Sequence, residues 1–408
     1  MKRVVVTGMA GISPIGNDWP EMEKALRTGR SGIRYMDSWD CYEGLNTRLG
    51  GPAAELNLPA HFNRKRTRTM GRVSLMATLA SERALEQAGL LGDAAVTNGS
   101  MGVAYGSSTG STDALQDFAH MLNRKSTEGI NATTYIRMMS HTAAVNIAVY
   151  FGLQGRVIPT CSACTSGSQG IGYAYEAIRS GNQTLMLGGG GEELCASEAA
   201  VFDTLFATSV LNDKPTQTPR PYDANRDGLV IGEGAGTLVL EELEHAQTRG
   251  AKILAEIAGF GTNCDGAHVT QPNANTMRIA MELALRDAKL APEAIGYVNG
   301  HGTATDRGDV AETLATSELF GTRQKISSVK GHTGHTLGAC GALEAWATIE
   351  MLNSDWYAPT LNLENVDPRC GELDYLTGEG RSMNNEYAMS NNFAFGGINT
   401  SLIFKRWQ

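Results

Sequence analysis

Long apolar runs are missing from this chain. No stretch approaches the roughly 18 consecutive apolar residues that a membrane-spanning helix needs. The opening residues carry a basic start and the short run Val4–Val6, but a glycine turn at Gly8 interrupts them before a signal-peptide core can form. An excess of basic charge is missing too: 34 Lys and Arg against 43 Asp and Glu give a net charge of −9. That balance argues against general binding to nucleic acid or anionic membranes, both of which select a basic face. Cysteine is sparse, seven in all, odd in number and scattered, which makes a poor disulfide framework and points to the reducing cytoplasm. There is also no Pro-rich linker, charge block or low-complexity tract.

What is abundant is glycine, 48 residues among 408, on a background 42% hydrophobic and 19% charged. This suits a globular α/β enzyme with many tight strand-to-loop turns. The length exceeds one ordinary domain, so two domains or one large duplicated core are expected.

The order of elements favours duplication. Arg3–Thr7 reads as a buried strand ending in a glycine-rich turn, followed by a helix over Trp19–Arg27. Ser74–Gly89 has helical apolar spacing, Ser100–Tyr105 reads as a strand, and Gly106–Gly110 is a glycine loop. The same order returns as helix Thr276–Lys289, strand Ile295–Val298 and loop Asn299–Thr305, with Ala84–Leu90 aligning with Ala284–Leu290. A boundary near residue 250 divides a first half, 1–250, from a second, 251–408. Asp223–Glu242 ends the first in an apolar strand, and Lys252–Ala258 opens the second with another.

Four segments carry ionisable or reactive groups in unusual settings. Cys164, in Cys161-Ser-Ala-Cys164-Thr-Ser-Gly-Ser, precedes a helical pattern over Gly170–Ser180 and so would sit at a helix N-terminus. There the helix dipole and free amides favour a thiolate nucleophile. The same residues also fit a buried structural cysteine or a C-x-x-C redox pair, and zinc would need His332 and His335 as further ligands. His301, in His301-Gly-Thr-Ala-Thr305-Asp-Arg-Gly-Asp309, falls at the C-terminal end of a strand, where α/β folds place functional groups. The segment from Ser327 to Glu344 embeds Lys330, His335 and Glu344 among glycines and alanines suited to close packing. Ser390–Asn399 reads as a loop whose glycines, after Phe395, could bring backbone amides close to a substrate.

Together, in this order and spacing, these segments resemble the elongating β-ketoacyl-acyl-carrier-protein synthases of the thiolase superfamily, and the likeness covers essentially the whole chain. It extends to Arg220–Gly228, Glu233–Gly236 and Pro359–Asn362. The resemblance implies an α/β thiolase fold, two pseudo-symmetric halves in α-β-α-β-α layers, and a dimer. It implies an acyltransferase that condenses malonyl-carrier decarboxylatively with an acyl group held on Cys164, in fatty-acid elongation. His301 and His335 would then bind the malonyl thioester and stabilise its enolate, with Lys330 and Glu344 as charges holding the histidines. The amides of Cys164 and Phe395 would form an oxyanion hole, Phe395 would also gate the site, and Thr303 and Thr305 would bind the phosphopantetheine arm. No cofactor or metal is required by this chemistry, although a monovalent cation near Asn299, Glu344, Ser390 and Asn391 stays open.

An acidic acyl carrier protein would explain the basic run Arg64, Lys65, Arg66, Arg68 and Arg72, extended by Arg124 and Lys125, on an acidic chain. The bland alternative is a solvated charged face. Thr109, Thr133 and Thr134 match positions of the acyl-pocket wall and are polar, which keeps open a rigid or unsaturated acyl chain. The second reading is therefore the catalytic ketosynthase subunit of a type II polyketide or polyene pathway, paired with a chain-length factor that lacks the cysteine. An initiating synthase would carry asparagine in place of His335, and a thiolase a second acid-base cysteine in a setting that Cys340 and Cys370 lack. A nicotinamide oxidoreductase fails because Pro14 and the glycine spacing break the dinucleotide loop.

Overall fold

The computed structural model describes residues 1–408. In the first half, β1 (Val4–Ile12), α1 (Arg72–Gln87), β2 (Met101–Gly106), α2 (Thr142–Phe151), β3 (Val157–Pro159), α3 (Ser166–Arg179), β4 (Leu185–Glu192), α4 (Ala196–Asp203) and β5 (Gly234–Glu242) follow in order. The second half has β6 (Ala255–Cys264), α5 (Ala274–Ala288), β7 (Ile295–Asn299), α6 (Asp306–Phe320), β8 (Lys325–Ser327), α7 (Cys340–Ser354), β9 (Asp374–Tyr375), β10 (Tyr387–Ala394) and β11 (Ile398–Arg406).

The strands form one eleven-stranded sheet in the order β9-β8-β7-β10-β11-β6-β1-β5-β4-β2-β3. Reading outward from the β1–β6 seam, each half has two antiparallel pairings and then two parallel ones, and the second half adds a third parallel pairing at its edge, β8 with β9. The seam is narrow, only Val4 to Val6 against Ala255 to Ile257. Helices α3 and α7 lie between the halves and pack on strands of both, while α1 and α2 cover the outer face of one half and α5 that of the other. The layers are therefore α-β-α-β-α, and α3 and α7 are buried along most of their length because sheet covers them on two sides.

The duplication is visible atom by atom. A Cβ on Gly8 of β1 would meet the Ala84 carbonyl oxygen at 2.1 Å, and one on Gly259 of β6 would meet the Ala284 carbonyl oxygen at 2.4 Å. The aligned alanines thus sit at equivalent points of two strand-on-helix contacts. The same contact corrects the reading of a turn after Thr7. Strand β1 runs on to Ile12, and Gly8 and Gly11 serve its close approach to α1 and to the Trp346 ring of α7. Likewise Ser390–Asn399 is mostly the β10–β11 hairpin, with only the segment around Gly396 and Gly397, both at positive φ, turning the chain.

Gly259→Ala is expected to cost about 1–3 kcal/mol, because the new methyl overlaps the α5 backbone. A lowered thermal midpoint in calorimetry checks this; an unchanged one would show that α5 is free to draw back.

Candidate active site

The nucleophile candidate and its partners come from four loop-to-helix or strand-end junctions of this layered frame. Cys164 lies in a single 3₁₀ turn, Ala163–Thr165, that feeds α3. Ala163 takes a positive φ of 49°, and Leu337, in the matching turn that feeds α7, takes 44°. The two helix starts press together at Gly167 and Gly341: a Cβ on Gly167 would meet the Ala342 amide nitrogen at 2.8 Å, and one on Gly341 the Ser168 nitrogen at 2.6 Å. Only glycine permits that approach, which brings the α7 segment carrying Glu344 next to the turn that carries Cys164.

Around the Cys164 sulfur the contacts are short. His335 Nε2 is 3.0 Å from Cys164 Sγ, and the His301 and His335 rings are 5.0 Å apart, nearly perpendicular. The backbone amides of Cys164 and Phe395 face the sulfur. Lys330, fully buried, donates to His301 Nδ1 at 3.1 Å and pairs with Glu344. Asn392 donates to Glu344 Oε2 at 2.6 Å and stands 3.4 Å from His301 Nδ1. Both neighbours of that nitrogen are donors, so Nδ1 is the acceptor and the His301 proton resides on Nε2. His335 Nδ1 is buried without a partner, so no neighbour fixes its tautomer.

The electrostatics follow from burial. His301 is held well below its usual pKa by burial, then by the Lys330 ammonium and by His335. His335 is lowered by burial and Lys330. Both rings are neutral at physiological pH. Burial works against the Lys330 ammonium, but Glu344 more than offsets it and its pKa is raised. The Cys164 thiol is pushed up to about 12, by burial above all, with Lys330 and the two amides opposing. This corrects the reading of a preformed thiolate: desolvation outweighs the helix terminus, so the resting group is a thiol beside a neutral imidazole.

The cysteine and both histidines open on a cleft of about 440 Å³ also lined by Thr303, Thr305 and Phe395. The Thr303 and Thr305 hydroxyls are 2.9 Å apart. Thr109, Thr133 and Thr134 do not line it. Thr133 borders a surface hollow with Arg64, Lys65, Arg68 and Asn131, Thr134 is buried and bonds Asp117, and Thr109 lies near the Glu192 carboxylate. In the basic run, Arg72 is taken up by Glu233, and Arg66 stacks on Tyr150 and donates to its carbonyl. Arg64, Lys65 and Arg68 remain exposed at the hollow; Arg124 and Lys125 are exposed but do not border it.

All seven cysteines are free thiols, Cys161 exposed beside the buried Cys164. Cys164, His301 and His335 place ligand atoms within 4.8 Å of one another, as do His301, Cys340 and Glu344. The buried Lys330 ammonium in contact with His301 opposes a divalent ion in either set. His332 bonds the Arg30 carbonyl instead. Buried oxygens of Asn299, Ser390 and Asn391 have no partner, an arrangement of hard acceptors that fits a monovalent cation.

Several residues of the site went unread in the sequence. Glu312 accepts from the amides of His301 (2.5 Å) and Gly302 (2.7 Å). Asp309 accepts from those of Thr303, Ala304 and Tyr222. Burial raises their pKa values to about 7 and about 6. They shape the His301 loop, where Ala304 has a positive φ of 66°. Their i, i+3 spacing on α6, just after the histidine, was the available signal. Cys340 also enters the site and donates to the Cys164 carbonyl at 3.2 Å.

In a Cys161→Ser background, iodoacetamide alkylation of Cys164 is expected to rise about tenfold per pH unit through pH 9, because the thiolate is the reactive form and the thiol titrates near 12. A plateau below pH 7 would instead reveal a standing thiolate–imidazolium pair.

The family model described as β-ketoacyl synthase, N-terminal domain, matches residues 1–246, and the one for the C-terminal domain matches 254–364. A 3-oxoacyl-[acyl-carrier-protein] synthase 2 of Synechocystis sp. is 37% identical over 413 residues, covering 100% of this chain and 99% of the relative. The crystal structure of a β-ketoacyl synthase from Burkholderia phymatum superposes with a TM-score of 0.99 at 60% identity, over 100% of both chains. The AntDE:AntF complex, a type II polyketide synthase acyl-carrier protein with its ketosynthase bound to the hexaketide, matches with a TM-score of 0.89 at 28% identity, over 100% of both chains. With both family models in sequence order on a thiolase fold, and with Cys164, His301 and His335 gathered at one cleft, the chain belongs to the β-ketoacyl synthase family.

Proposed function

We propose that this β-ketoacyl synthase takes its substrates from an acyl carrier protein in fatty-acid elongation, with Cys164 as acyl acceptor. The observation that carries this reading is a nucleophile facing two neutral histidines and two backbone amides at the bottom of one cleft. In the first half-reaction the Cys164 proton passes to His335 Nε2 as sulfur attacks the acyl thioester. The tetrahedral oxyanion rests on the amides of Cys164 and Phe395, and collapse expels the carrier thiolate, which takes the proton. In the second, malonyl-carrier loses CO₂, and the electron pair of the broken C–C bond moves into an enolate whose oxygen accepts from Nε2–H of His301 and from His335 once that ring, whose tautomer no neighbour fixes, carries its proton on Nε2. The enolate carbon attacks the Cys164 thioester, the new C–C bond forms, and the cysteine leaves as thiolate and takes a proton from solvent.

Lys330 and Glu344 act through His301: the ammonium holds its Nδ1 as acceptor and so keeps its Nε2–H aimed outward. Phe395 gates the cleft, and Thr303 and Thr305 receive the phosphopantetheine arm that brings substrate in. These side chains supply the whole reaction without a cofactor, and any monovalent cation at Asn299, Ser390 and Asn391 would serve to hold the strand ends behind His301. The carrier docks at Arg64, Lys65 and Arg68, the members of the basic run that border the exposed hollow. A second chain of this fold pairs along the free edge of β3, beside the exposed Val145, Val149 and Val157. No helix is long and apolar enough to cross a membrane, and free thiols suit a reducing compartment, the cytoplasm. Catalysis within a type II polyketide or polyene pathway, beside a chain-length factor, is the second reading, favoured by the likeness to the ketosynthase of the AntDE:AntF complex.

His301→Ala and His335→Ala are each expected to slow CO₂ release from malonyl-carrier by about 10²–10³-fold, the scale of losing one oxyanion donor. Retention of that rate in either variant would remove the histidine from the reaction. Arg64→Glu with Lys65→Glu and Arg68→Glu should raise the KM for carrier-bound substrate and flatten its salt dependence while leaving kcat nearly unchanged; an unaltered KM would place carrier docking elsewhere.

A further inference from the structure

Seven acidic and arginine side chains line the cleft, and six of them are already engaged within the protein. Asp309 and Glu312 accept from backbone amides of the His301 loop. Asp227 accepts from the Ser209 hydroxyl at 2.9 Å and the Val210 amide at 3.0 Å, and Asp265 accepts from Asn399 at 2.7 Å. Arg226 donates to Asp367 at 2.7 Å and to the backbone carbonyls of Asp223, Thr305 and Asp306. Asp306 in turn accepts from Arg369 at 2.6 Å.

Arg307 is the exception. It is exposed and takes part in no hydrogen bond or ion pair, although an aspartate precedes it in the chain. It stands in the first turn of α6, where the helix dipole disfavours a cation, so helix stability does not account for it. On an open surface a solvated guanidinium would need no account, but this one borders the cleft that holds Cys164.

Its place along that cleft ties it to the incoming arm. His301 and Thr303 are buried, Thr305 is half-buried and Arg307 is exposed, so the segment climbs from the catalytic end of the cleft to its mouth. Gly308 keeps the wall bare beside the hydroxyls: a Cβ there would meet the Thr305 hydroxyl oxygen at 2.4 Å and lie 3.6 Å from that of Thr303. A phosphopantetheine arm has a matching order, with the thioester at its reactive end, two amides along its length and a phosphodiester where it joins the carrier. With the thioester at Cys164 and the amides beside the threonine hydroxyls, the phosphodiester comes to the mouth. It is the one charged group of an acylated arm.

We propose that Arg307 binds the phosphodiester of the phosphopantetheine arm, and so favours phosphorylated thioester donors over unphosphorylated ones. This rests on the reading of Cys164 as acyl acceptor and of Thr303 and Thr305 as the path of the arm. A guanidinium offers phosphate two parallel N–H donors, and the anion supplies the partner that Arg307 lacks. Asp306 does not compete for it, being held by Arg369.

The test is the rate of Cys164 acylation, read by intact mass, from one saturated acyl group carried on phosphopantetheine and on pantetheine, which differ only in the phosphate. The carrier thioester of the same acyl group is the third donor. At subsaturating concentration the wild type is expected to react about 5- to 20-fold faster with the phosphopantetheine thioester than with the pantetheine one, the worth of a charge-assisted hydrogen bond at an exposed site. Added salt should shrink that ratio. Arg307→Ala should bring it near one, and Arg307→Lys, which keeps the charge and loses the paired donors, should keep part of it. Because the ratio is taken within each variant, a general loss of activity does not move it. Equal rates from the two small donors in the wild type, failure of both where the carrier thioester reacts, or an unchanged ratio in Arg307→Ala would overturn the proposal. Arg307→Gln answers the same question should Arg307→Ala fail to fold. Absence of an adduct from the carrier thioester would instead overturn Cys164 as acyl acceptor, and this inference with it.

Discussion

The buried ammonium of Lys330 is the constraint on which the rest of the site depends. A fully buried charge survives only when paired, and Glu344 pairs it from the adjoining helix. That pair sets three things at once. It fixes His301 with Nδ1 as acceptor, its ammonium adds to the burial that holds both imidazoles neutral, and it opposes the desolvation that makes the Cys164 thiol so weak an acid. Carbon–carbon bond formation through an enolate needs hydrogen-bond donors that are not themselves acids strong enough to quench the carbanion. Neutral rings meet that need, His301 with its Nε2–H outward, and burial together with the nearby fixed cation keeps them neutral.

The duplicated frame supplies the geometry and is then used asymmetrically. Two tight turns with a positive-φ residue feed two central helices, and the glycines Gly167 and Gly341 let the helix starts touch. One turn carries Cys164. The matching turn carries Gly338, whose amide is given to Glu192 instead of to a substrate. The histidines come from the second half alone, one from the end of β7 and one from the loop ahead of α7, so the cleft lies between the halves.

Much of this was legible in the sequence, because the elements with strong local grammar were also the ones the fold keeps. Cys164, His301, Lys330, His335 and Glu344 each stood out as reactive or ionisable residues among glycines and alanines, and the family pattern gave them roles. Ala84 and Ala284 marked the repeat. What stayed hidden depended on contacts between distant segments. Gly8 looks like a turn from its neighbours and is a strand residue because α1 presses on it. A helix-start cysteine suggests a thiolate, but the burial that reverses the balance comes from the whole fold. The basic run gave no sign that Arg72 would be consumed by Glu233, 161 residues away.

In the proposed reaction Cys164 carries the growing chain between two half-reactions. Intact-mass analysis of the wild type and of Cys164→Ala, incubated with acyl-carrier thioester and then with malonyl-carrier, tests it most directly. An acyl adduct is expected on the wild type only, discharged by malonyl-carrier as a β-keto product two carbons longer. An adduct that persists in Cys164→Ala, or one that malonyl-carrier does not discharge, would contradict it.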